Sequence, residues 1–234
     1  MKLIKSLFIL LLFCACTTNT FAHALFINAN TDGKIRDTQN IIIFYAEAKD
    51  AKKERIEDWW SDTKDFTLWL TFPNGTQEKL NVSQHNDHFT SSFTPLTQGD
   101  YYVSIHHTVS AIVSNTQYQF NASSKVKIGK QKEAVNSKEM SLENGLFMYK
   151  IDTDNKKEIS IVLLSNGDVL SDTAVTIFTP NGSQQTIKTN DKGIVSLQPE
   201  SQGTYLFEAF KKEDVSGEAY SEKFRIITSV VNFK

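Results

Sequence analysis

Apolar and polar residues alternate through much of this chain with the period of two that a β-strand imposes. Phe66, Leu68, Leu70 and Phe72 interleave with Thr67, Trp69 and Thr71, and Val175 and Ile177 are separated by Thr176. Ile41–Tyr45 and Ile159–Leu164, the latter interrupted only by Ser160, are largely apolar runs of strand length, which predicts central strands. Residues 48–60 are the one good helix candidate, because Ile56, Trp59 and Trp60 fall at i, i+3 and i+4.

The strands recur in a pattern. Pro73-Asn74-Gly75-Thr76-Gln77 is followed by Pro95-Leu96-Thr97-Gln98-Gly99-Asp100-Tyr101. Later, Pro180-Asn181-Gly182-Ser183-Gln184 is followed by Pro199-Glu200-Ser201-Gln202-Gly203-Thr204-Tyr205. An internal repeat of this kind predicts two copies of one supersecondary unit. Asn-Gly tolerates the positive φ of a tight turn. Gly-x-Tyr matches the tyrosine corner of immunoglobulin-like sandwiches, whose hydroxyl ties a loop to the backbone. The expected fold is therefore all-β, with two immunoglobulin-like antiparallel β-sandwich domains in tandem. The first would span residues 23–134 and the second 135–234, joined by the polar stretch Gly129 to Glu143.

The start of the chain changes the setting. Lys2 and Lys5 precede an apolar run from Leu7 to Ala15 that is too short to cross a bilayer as a helix. Thr20-Phe21-Ala22 then offers small residues for a signal peptidase. Residues 1–22 read as a signal peptide, and cleavage would make His23 the new N-terminus of a periplasmic or secreted protein. A lipoprotein anchored at Cys16 is the rival reading. Both cysteines, Cys14 and Cys16, lie in this leader, so disulfides, zinc–thiolate sites and cysteine nucleophiles are excluded from the mature chain. Without Lys2 and Lys5 the chain holds 23 basic and 27 acidic residues, which argues against a general nucleic-acid binder. No later stretch is long and apolar enough for a transmembrane segment.

All five histidines, His23, His85, His88, His106 and His107, fall in the first of the two expected domains. If Pro95–Gly99 were a hairpin turn centred near Thr97, Phe89 would oppose Ile105 and Phe93 would oppose Tyr101. The same register sets His88 opposite His106, with Cβ atoms ~5 Å apart. A freed His23 could add its amine and its imidazole, giving a nitrogen-rich set suited to nickel or copper. His107 or His85 would be auxiliary. The plainer reading leaves His85 solvated and His107 in the core or its rim. Trp59, Trp60 and Trp69 with Tyr101 and Tyr102 could form a sugar platform, or the tryptophans could cap the first core. Glu54, Glu57, Asp58, Asp62 and Asp65 match no calcium loop. No nucleophile elbow, phosphate loop or His-Glu-x-x-His pair is present.

His23-Ala24-Leu25-Phe26, Phe44-Tyr45-Ala46-Glu47, Asp87-His88-Phe89 and Gly99-x-Tyr101 with His106 resemble a bacterial domain-of-unknown-function family of periplasmic components linked to nickel and cobalt uptake. Pro180-Asn181-Gly182, Thr189–Gly193 and Gly203-x-Tyr205 extend the resemblance to the second domain. It implies a non-enzymatic accessory protein that binds a divalent transition metal and delivers it to a separate membrane transporter. His23, His88 and His106 are the residues it carries over. Two other functions are weighed beside it: a non-catalytic cell-surface or carbohydrate-binding module, and a copper mono-oxygenase-like enzyme.

Overall fold

The computed structural model describes residues 23–49, 52–129, 145–153 and 157–234. The leader with Cys14 and Cys16, and the boundary placed near residue 135, lie outside the described residues. Within them the chain forms strands and two single-turn 3-10 segments. The expected all-β sandwich fold is what forms.

Three sheets carry the architecture. β1 (His23–Ala29), β3 (Gln39–Glu47), β7 (Phe89–Phe93) and β6 (Ser83–Gln84) make a four-stranded sheet in that order. β10 (Leu146–Ile151) and β12 (Asp168–Val169) flank one stretch of β11 (Ile159–Ser165), and β15 (Ile194–Leu197) pairs with β11 as well. Between these lies a nine-stranded sheet. Its path runs from β14 (Gln184–Lys188) through β13 (Ala174–Phe178), β16 (Gly203–Asp214) and β17 (Glu222–Phe233). It continues through β9 (Thr116–Ile128), β8 (Gly99–Val113) and β4 (Leu68–Thr71) to β5 (Gln77–Leu80). β2 (Asp32–Gly33) pairs with β9 off this path.

The two sandwiches thus share a sheet. β9 and β17 run parallel, with Thr116–Ala122 against Glu222–Thr228. Alternation then sends successive residues of one strand to different cores. Ile226 and Val230 join the first core, whereas Ile227 and Val231 join the second. On β9, Tyr118, Phe120, Ala122 and Val126 enter the first core. The intervening Asn121 and Ser123 face β10. There the Ser123 hydroxyl donates to the Met148 carbonyl at 2.8 Å and accepts the Met148 N–H at 2.9 Å. Asn121 donates to the Ile226 carbonyl at 2.9 Å, and its Oδ1 accepts the Leu146 N–H at 3.4 Å. These bonds satisfy polar groups that burial would otherwise penalise by ~1–3 kcal/mol each.

Both repeat units fold as their residues predict. Gly75 and Gly182 close the two Asn-Gly turns at φ 83° and 81°. The Tyr101 hydroxyl donates to the Thr97 carbonyl at 3.1 Å, and that of Tyr205 to the Ser201 carbonyl at 2.8 Å. These are the two tyrosine corners. β3 and β11 are central strands with neighbours on both sides.

Two expectations fail. The helix over 48–60 does not form: Ile56–Asp58 is one 3-10 turn, and Lys53 bridges Ala46. Ile56 and Trp59 reach the core from an irregular segment, and Trp59 Nε1 donates to the Glu54 carbonyl at 3.1 Å. Two anchoring side chains on a packed loop imitate a helical stripe. The β7–β8 hairpin does not form either. β7 pairs with β3, setting Phe89 against Ile43. β8 pairs with β4 and β9, setting Ile105 against Leu68 and Ala122. Phe93 does meet Tyr101, with ring centroids 5.3 Å apart. They meet face to face across the sandwich, not side by side in one sheet.

Candidate functional site

Crossing between sheets separates the histidines. His106 and His107 are neighbours on β8, so their side chains leave opposite faces. His106 turns to the seam between the sandwiches, its ring tilted against that of Phe147 with centroids 4.6 Å apart. Its Nδ1 pairs with Asn121 Oδ1 at 2.8 Å, and its Nε2 is buried without a hydrogen-bond partner. Burial pushes its pKa down to about 4, against the opposing pull of the Asn121 bond. His107 turns to the first sandwich, 3.6 Å from Asp62.

His88 precedes β7 in the other sheet. Its Nδ1 lies 2.6 Å from Asp87 Oδ1, and its ring stacks on His85 at 4.6 Å. The hydrogen bond from His88 holds Asp87 below the usual carboxylate range. His23 heads β1, stacks on Tyr45 at 5.5 Å, and reaches Glu54 at 3.2 Å. Among the described residues, no group of three or more His, Cys, Asp or Glu is placed to hold a metal ion. His23, His88, His106 and His107 therefore do not fit one shared nickel, cobalt or copper ion in this arrangement, since each is engaged by different neighbours.

The sugar platform is also dispersed. Trp59 and Tyr101 are buried in the first core, and Tyr102 packs against Tyr149 at the seam, 5.0 Å between centroids. Burial, reinforced by Tyr149 and Asp100, drives the Tyr102 phenol far above its ordinary value. Burial and Asp100 push Tyr149 up to about 12.

What the fold does present is a trench along the open side of the first sandwich. One wall is β5, the end strand of the nine-stranded sheet. The other is β7, whose pairing with β6 covers only Phe89 and Thr90. Among the described residues no strand pairs with the outer edges of β5 or of Ser91–Phe93. The Ser91 hydroxyl donates to the Asn81 carbonyl at 2.7 Å and ties the walls together at one end. Beyond it the trench opens into an apolar cleft of about 620 Å³ floored by Leu70, Phe93 and Tyr101 and rimmed by Phe72, Leu80 and Leu96. Leu96 is 75% exposed, more than any other large hydrophobic residue described. A more polar cleft of about 520 Å³ adjoins it through Glu78, Leu80 and Ser92.

Register fixes the direction of Glu78. Directly opposed residues share a face. Leu68 and Leu70 point into the core, so their partners Leu80 and Glu78 point inward too, while Lys79 points out with Trp69. Glu78 is exposed, lines both clefts, and forms no ion pair or hydrogen bond among the described residues. Sequence reasoning passed over this glutamate. The signal was available in the alternation Gln77-Glu78-Lys79-Leu80, which places an acid on the apolar parity of an edge strand.

A third cleft, about 660 Å³, lies at the seam, between Ala48-Lys49 and the turn Thr179–Gly182 with Leu206. Two residues along β16 from Leu206, Glu208 is 7% exposed. Burial, with Glu47 adding to it, pushes its pKa up to about 7.

No family model matches the chain, and no curated protein matches it. Among solved structures, the chain is similar to a biofilm-associated protein's BSP domain at 15% identity and TM-score 0.24, covering 88% of this chain and 29% of that one. It is similar to a two-domain fibronectin type III segment of chicken tenascin at 11% identity and TM-score 0.25, covering 88% and 97%. It is also similar to Salmonella α-2-macroglobulin reacted with methylamine at 8% identity and TM-score 0.29, covering 92% and 15%. The chain spans under a third of the first and third of these. Scores this low carry no argument about its ligand.

Proposed function

We propose that this chain is a non-catalytic β-sandwich binding module that works outside the cytoplasm. One observation carries the reading: the open trench between β5 and β7, with an apolar floor and the exposed Leu96 at its rim. A contiguous exposed apolar surface framed by polar residues is the ordinary mark of a recognition site. The leader-like start of the chain supports the location. Metal delivery, the function implied by the family resemblance, receives no support from the placement of the histidines.

The test is site-specific photo-crosslinking in the organism that makes the protein. A benzophenone amino acid replaces Leu96 in one variant and Val169, an exposed apolar residue of the second sandwich, in another. The expected result is a discrete adduct from position 96 and none from position 169. No adduct from either position, or the same adducts from both, overturns the reading.

A further inference from the structure

We propose that the trench receives an extended peptide strand of a protein partner, in which a basic side chain lies between two apolar ones. The peptide adds to the free edge of β5, and its basic group pairs with Glu78. This inference rests on the binding-module reading and names the occupant.

Three features select a peptide of this chemistry. The first is the backbone. β5 ends its sheet, and the outer edge of Ser91–Phe93 is unpaired among the described residues. Free N–H and C=O groups along a wall are satisfied by an added strand, which a sugar or an apolar small molecule cannot supply in register. The second is the floor. Leu70, Leu80, Phe93 and Tyr101 offer apolar contact to alternate residues of such a strand, because its side chains repeat on one face every second position. β5 is four residues long, so the matching segment is ~13 Å in length.

The third is charge. Glu78 directs a carboxylate inward on an edge strand, between the apolar and the polar cleft, with no cation paired to it among the described residues. An inward acid can serve simply to repel other strands. It does so only against strands that cannot neutralise it. A partner with Lys or Arg at the facing position meets complementary charge in a partly dry setting, whereas an acidic or wholly apolar strand meets an unpaired carboxylate. The same residue thus rejects most strands and admits one class.

The experiment uses the full mature protein, labelled with nitrogen-15 and titrated with two end-capped heptapeptides. Both alternate threonine with leucine, and they differ only in a central lysine or glutamate. The expected result has two parts. The lysine peptide shifts the amide signals of Gln77–Leu80 and Ser91–Phe93 and binds at least tenfold tighter than the glutamate peptide. In the Glu78→Lys variant the preference reverses. Equal affinities, no shifts with either peptide, or shifts confined to other surfaces overturn the proposal. Reversal is the decisive readout, because a variant that merely failed to fold would bind neither peptide and would lose the dispersed spectrum. An adduct at position 96 together with peptides that fail to bind leaves the module reading standing and removes only the strand proposal. A glycan in that adduct does the same.

Discussion

His106 should make the protein acid-sensitive in a defined window. Its ring is neutral in the fold because Nε2 is buried beside Phe147 without a partner, which holds its pKa at about 4. In the unfolded chain the value returns to ~6.5. Between these values the unfolded chain binds the extra proton, so the stabilising contribution is complete above ~pH 6.5 and is lost as the pH falls toward 4. Each tenfold difference in proton affinity is worth ~1.4 kcal/mol, which sets an upper bound of ~3 kcal/mol. The residue as a whole is only partly buried, and discounting for screening leaves ~2 kcal/mol. Denaturant unfolding followed by tryptophan fluorescence, at steps between pH 4 and pH 8, reads this directly. His106→Leu removes the titration and costs ~1 kcal/mol at every pH through the lost bond to Asn121. The difference between wild type and variant cancels the contributions of other titrating groups. It should fall by ~2 kcal/mol from pH 7 to pH 4. A difference that stays constant across that range refutes the argument.

Glu208 should act in the opposite sense. Its carboxyl is raised to about 7 in the fold, so its contribution is present below the ordinary carboxylate value and is lost as the pH rises to neutrality; Glu208→Gln should flatten that decline in the same unfolding assay. Tyr205→Phe removes the 2.8 Å bond to the Ser201 carbonyl and should cost ~1 kcal/mol, read as a lower Tm in a thermal melt. Gly193 sits at φ +69°, and a Cβ there would meet the Leu163 carbonyl oxygen at 2.8 Å, so Gly193→Ala should cost ~2 kcal/mol, measured as a lower denaturant midpoint. Nickel added to the correctly cleaved protein should bind, where it binds at all, equally well in wild type and in His106→Leu by calorimetry, because the free Nε2 of that residue is covered.

The repeat made the fold legible. Asn-Gly and Gly-x-Tyr are local signals: each fixes a turn or a corner within a few residues, and each formed as read. Alternation located the strands, and it placed Phe89, Phe93, Tyr101 and Ile105 correctly on apolar faces. It could not say whether two such faces meet side by side in one sheet or across a sandwich, because both arrangements bury the same parity. The pairing of His88 with His106 rested on that ambiguity and failed with it. The tyrosine corner held the correction, since a corner is a passage from one sheet to the other. The parallel union of β9 with β17 was not legible. It joins Thr116–Ala122 to a segment more than a hundred residues later, beyond the reach of any local turn signal.

That union has a consequence for how the chain can be divided. Severing it between residues 129 and 145 would not yield two self-sufficient globules. Each half would carry away a long raw border, β9 on one and β17 on the other, together with apolar side chains such as Ile226 and Val230 whose partners stayed behind. The halves should therefore melt as a single event when joined. When made separately, they should stick to themselves or to each other.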